Sequence, residues 1–95
     1  MIYRRRQSYG SIPSGFYRFE NTRRSGGMTG HGEGGFIRLR DEYGVVWNGM
    51  ADTQDDNSVR YRFRDATGRT ITGLSDSFGI VLRDEKGNTW HGFVE

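Results

Sequence analysis

A chain of 95 residues without cysteine makes one domain and excludes disulfide staples and thiolate metal sites. Only 33% of it is apolar while 14% is aromatic, so large rings must supply much of a thin core, and 15 Gly against one Pro favour strands and turns over helices. A net charge of +2 does not by itself announce a polyanionic partner, but every basic residue except Lys86 is Arg, which pairs bidentately with phosphates and stacks on rings.

Residues 1–14 read as a flexible basic arm carrying Arg4, Arg5 and Arg6. The opening MIYRRRQSYG has no apolar run behind its charges and does not read as a signal peptide, and no segment approaches the roughly 20 apolar residues of a membrane span. A cytoplasmic protein with no membrane partner is therefore expected. Residues 15–95 form a single β domain. Phe16-Tyr17-Arg18-Phe19 is its first strand and echoes Phe36-Ile37-Arg38-Leu39, as a decayed copy of the repeat below would. Residues 20–35, rich in Gly, Arg, Ser and Thr, read as a flexible loop or an irregular Gly-rich strand. Their Gly30-His31-Gly32-Glu33-Gly34-Gly35 matches a dinucleotide-binding glycine pattern in letters only, because a strand follows it where that pattern needs a helix.

Three copies of one pattern occupy the rest: Asp41, Gly44, Trp47, Gly49; Asp65, Gly68, Ile71, Gly73; and Asp84, Gly87, Trp90, Gly92. Each reads as a β-hairpin, over about 35–52, 58–75 and 78–95. The Asp opens a type I turn and caps its backbone N–H groups, and the Gly takes the left-handed bulge position. That turn fixes the register. Leu39 falls opposite Trp47, Phe63 opposite Ile71 and Leu82 opposite Trp90; Ile37, Tyr61 and Ile80 fall opposite Gly49, Gly73 and Gly92. All of these share the core face. Asp52 to Ser58 is a polar loop and Ser75-Asp76-Ser77 a tight turn. The fold class is all-β: an antiparallel meander of three repeated hairpins plus an N-terminal strand, curled into a small open barrel or half-barrel.

The opposite face carries the candidate sites. Arg38, Arg40, Arg60, Arg62, Arg64 and Arg83, with His91, come from neighbouring hairpins. Like charges on adjacent strands repel unless an anion offsets them, so a nucleic acid or another polyanion is the expected ligand. Codon usage biased toward Arg and Gly would leave the same compositional trace. Met50, Leu74 and Phe93 occupy one repeat position and form an apolar line, to be covered by the Phe16–Phe19 strand or by a homo-oligomer or protein partner.

Other constellations are weaker. His31, Glu33 and His91 have no metal-ligand spacing, and Asp52, Asp55 and Asp56 lack that of a calcium loop. No metal or cofactor is expected. Without a nucleophile beside a base, the domain reads as a binding module rather than an enzyme, and a small-ligand barrel would need a deep pocket holding Tyr61, His91 or Glu33. Trp47 and Trp90 are expected in the core, and Tyr3, Tyr9, Tyr17 and Tyr43 on the surface.

Overall fold

In the computed structural model, which describes residues 14–23, 25–76 and 79–95, eight antiparallel strands follow one another in chain order and close into a barrel. They are β1 (Gly15–Asn21), β2 (Gly27–Glu33), β3 (Phe36–Asp41), β4 (Val46–Thr53), β5 (Val59–Arg64), β6 (Thr70–Asp76), β7 (Gly79–Asp84) and β8 (Thr89–Val94). The arm expected over 1–14 lies, apart from Ser14, outside the described residues, as do Tyr3, Tyr9, Arg24 and Ser77.

The turns explain why the sequence folds this way. Asp41 Oδ1 accepts the backbone N–H groups of Tyr43 and Val45, each at 2.9 Å. Asp65 does the same for Thr67 and Arg69, and Asp84 for Lys86 and Asn88. Gly44, Gly68 and Gly87 follow at φ of 81°, 92° and 89°, the left-handed conformation a bulge of this type requires. The second carboxylate oxygen has a different donor in each copy: Trp47 Nε1, Arg69 Nε and Asn88 Nδ2. The turn between β4 and β5 uses the same frame with Asn57 at φ 70° in place of Gly.

The register within all three hairpins is the one read from the sequence, from Leu39 opposite Trp47 to Ile80 opposite Gly92. A fourth hairpin precedes them. Phe19 lies opposite Met28 and Tyr17 opposite Gly30, as Leu39 and Ile37 lie opposite Trp47 and Gly49. Asn21 Oδ1 caps its turn by accepting from the N–H of Arg23, in the role of Asp41. Residues 27–33, for which a flexible loop stood as one expectation, are thus a full strand paired on both sides. Gly34 and Gly35, both at positive φ, make the two-residue type I′ turn into β3.

The sheet is closed, not half-open. β1 pairs with β8 from Tyr17 opposite Val94 to Asn21 opposite Trp90. Followed once around, a row of opposed residues climbs about eight positions, a shear that gives an eight-stranded barrel an interior just wide enough for side chains to fill. Tyr17 and Phe19 from β1 meet Tyr61 and Phe63 from the opposite wall, with edge-to-face contacts at 6.1 Å and 6.5 Å. The inward glycines leave room for these rings.

Three expectations change with closure. Tyr17, expected on the surface, is fully buried and hydrogen-bonded to Tyr61. The Phe16–Phe19 strand is part of the wall and does not lie over Met50, Leu74 and Phe93, which remain about half exposed. Nor do those residues form one line. Met50 is opposite Arg62 while Leu74 is opposite Arg60, so each hairpin sits two positions along from the last. The apolar surface divides into the pairs Phe36–Met50 and Leu74–Val81, with Phe93 apart, opposite Arg18.

Candidate functional site

Strand alternation places the outward residues of β3 and β5 in water. Arg38, Arg40, Arg60, Arg62, Arg64, Arg83 and His91 are all exposed on the outer face. Closure spreads them. Arg38 and Arg40 on β3 and the three Arg of β5 flank β4, while Arg83 on β7 and His91 on β8 stand around the opposite side. His91 lies between Val81 and Glu20, away from the β5 arginines.

No two of these Arg are directly opposed on adjacent strands. Arg38 and Arg64 are separated by Asn48, and Arg62 and Arg83 by Thr72, which sets them about 9–10 Å apart. The expected repulsion is therefore diluted by an intervening polar strand. The positive charge is still not neutralised. The ion pairs among the described residues are Arg18–Glu95, at 3.6 Å, and Arg69–Asp65, and neither involves these side chains. Asp52 lies opposite Arg60, an acid at the margin of the patch.

Two depressions mark the surface here. One, of about 480 Å³, is lined by His31, Glu33, Phe36, Arg38 and Asn48 with the backbone around Gly32 and Gly49. The other, of about 270 Å³, is lined by Met50, Asp52, Arg60, Arg62 and Arg64. Asn48 and Gly49 border both, so the two lie side by side across β2 to β5. Sequence reasoning passed over Phe36, His31 and Asn48 as contributors. It also passed over Arg18, the repeat equivalent of Arg38 and Arg62, whose guanidinium lies 5.6 Å from the Phe16 ring centroid. A third depression, of about 450 Å³, lies at the first turn among Arg18, Asn21 and Thr29.

The remaining candidates do not assemble. Tyr61 is inside the barrel, while Glu33 and His91 are outside it on β2 and β8. Among the described residues no three His, Asp or Glu gather around a cation-sized site. Asp56 caps a turn, accepting from the Ser58 hydroxyl and N–H, and these bonds hold its carboxyl below the usual range. Trp47 and Trp90 are buried, with Arg69 lying 5.4 Å from the Trp47 ring centroid. No helix of the described residues is long and apolar enough to cross a membrane.

No family model, curated protein or solved structure matches this chain.

Proposed function

We propose that the barrel is a binding module for a polyanion, taken across the outer face of β2 to β5. The observation that carries this reading is the pair of adjoining depressions, one edged by Arg38 and the other by Arg60, Arg62 and Arg64, none of these arginines in an ion pair among the described residues. Arg side chains rooted about 10 Å apart across neighbouring strands of one closed sheet share a face, so an extended anion can meet several of them at once. Arg83 and His91 are outside this patch, and Arg40 is at its edge.

The test is binding of a labelled oligonucleotide at low and physiological salt. Each phosphate contact lowers the logarithm of affinity by about 0.7 per decade of salt on a single strand. The double change Arg62→Glu/Arg64→Glu is expected to abolish binding at physiological salt and flatten the slope. Absence of binding by the unaltered protein at low salt would overturn the reading.

A second reading rests on the half-exposed Met50, Leu74 and Phe93, with Phe36 and Val81 beside them. Such apolar pairs serve a homo-oligomer or a protein partner. Here Leu74→Glu dissociates an oligomer and leaves the melting temperature of the barrel unchanged. A monomer at high concentration removes the self-association form.

A further inference from the structure

Two diagonal rows of outward residues cross β2 to β5 side by side. The first runs from Glu33 through Phe36 and Met50 to Arg62. The second runs from Phe16 through His31, Arg38 and Asn48 to Arg64. They are two residues apart along each strand, about 7 Å. Their chemistry differs. The first row holds a carboxylate, the most exposed apolar side chains of the patch, with Phe36 67% and Met50 51% exposed, and one guanidinium, Arg62, at its far end. The second holds two guanidiniums, an imidazole, an amide and no acid, with the ring of Phe16 at its head packed edge-on against His31.

A phosphate backbone is repelled by Glu33 at the head of the first row and attracted along the second. A flat aromatic group has the opposite preference. It covers the Phe36 ring, and Glu33 can accept hydrogen bonds from amino groups on its edge. The depression between the rows, at about 480 Å³, falls in the range of small-ligand pockets. A chain carrying phosphates on one side and flat rings on the other, one nucleotide's reach apart, fits both rows at once. A polyanion without rings leaves Phe36 and Met50 uncovered, and a duplex keeps its rings stacked inside.

We infer that the ligand of this face is a single-stranded nucleic acid, its phosphates along Arg38 and Arg64 and an unpaired base stacked on Phe36. The inference rests on the polyanion reading above and narrows it. Stacking one base on an aromatic side chain changes affinity on the order of tenfold or more.

The experiment compares four probes on the full chain: a labelled single-stranded oligonucleotide, an abasic strand of equal length, a duplex, and inorganic polyphosphate. The expected result is that the oligonucleotide binds about tenfold or more tightly than the other three. Phe36→Ala removes that advantage and leaves abasic and polyphosphate binding unchanged, while Arg64→Glu weakens all four. Equal affinity for the abasic and the normal strand overturns the single-strand inference and leaves the polyanion reading standing; this arm needs no variant. Silence of the unaltered protein toward every probe overturns both. Self-association that Phe36→Ala abolishes would show the ring covered by a second copy, and overturns the inference as well.

Discussion

The ring of Phe63 lies against Gly49 across the β4–β5 ladder, in the space a side chain at Gly49 would take. The same relation recurs between Phe19 and Gly92 and between Tyr17 and Gly32. Each ring reaches the barrel axis because the residue beside it has no Cβ. Gly49→Ala would press a methyl group into Phe63 and the Arg62 carbonyl, and backbone cannot yield as a flexible side chain can. The expected cost is about 1–3 kcal/mol. For a domain of this size that is a fall in Tm of roughly 4–8 °C per kcal/mol, measurable by thermal unfolding. An unchanged Tm would mean that the rings do not depend on the glycine.

Tyr17 and Tyr61 share a hydrogen bond in the filled interior. Tyr17→Phe strands the Tyr61 hydroxyl away from water and should cost about 1–3 kcal/mol, whereas Tyr17→Phe/Tyr61→Phe should recover part of it, since the stranded hydroxyl is then gone. Urea unfolding of the two single variants and the double variant decides this. Burial also raises both phenol pKa values above the ordinary 10.0. The unfolded chain therefore releases these protons first, and stability that is complete below about pH 10 declines above it. The double variant should show a shallower alkaline limb.

Acid acts through a different residue. Burial would raise the Asp65 carboxyl, but the hydrogen bonds from Thr67 and Arg69 outweigh it and hold the pKa at about 2, against 3.8 for a free side chain. The unfolded chain takes up that proton first as pH falls. The stabilisation is thus whole above about pH 4 and is lost toward pH 2. Asp84 is lowered as well and adds in the same sense. Unfolding midpoints between pH 2 and 5 should fall, and Asp65→Asn should flatten the fall by lowering stability at the upper end.

Closure separates the arginines into groups that mutagenesis can tell apart. Arg64 borders the depression beside β4, whereas Arg83 is on β7, around the wall. Charge reversal at Arg64 should reduce the salt slope of polyanion binding more than reversal at Arg83, and His91→Ala should leave it unaltered. Equal effects at Arg64 and Arg83 would point to diffuse attraction by net charge.

Much of this barrel is legible in the chain because the Asp-x-x-Gly turn dictates its own loop length. With loop length fixed, alternation alone decides which side chains face inward. β2 escaped this logic. Its only large apolar residue is Met28, and its pairing to β1 and β3 overrides weak propensity. The clue was Asn21 standing for Asp41, with Met28 and Gly30 one position later than Trp47 and Gly49 would predict. Without β2 the ring does not close, so Tyr17 reads as a surface residue and Arg18, although matched to Arg38 in the echo of the repeat, stays outside the candidate site. The two-residue step between hairpins was also hard to read, since it belongs to β4–β5 and β6–β7 pairing, and the turn that sets it at β4–β5 has Asn57 where the other copies have Gly. That step separates Met50 from Leu74 and brings Phe36 beside the Arg38–Arg64 row.

Seven of the eight seams in this wall join strands adjacent in the chain, and one, between β1 and β8, joins strands from its two ends. The local seams can zip from their turns at little entropic cost, but the last must capture segments some seventy residues apart. Folding speed should therefore be governed by ring closure. Joining Glu95 to Ser14 through a short linker and reopening the chain within residues 54–58 would turn the slow seam into a hairpin and hand the slow role to β4 and β5.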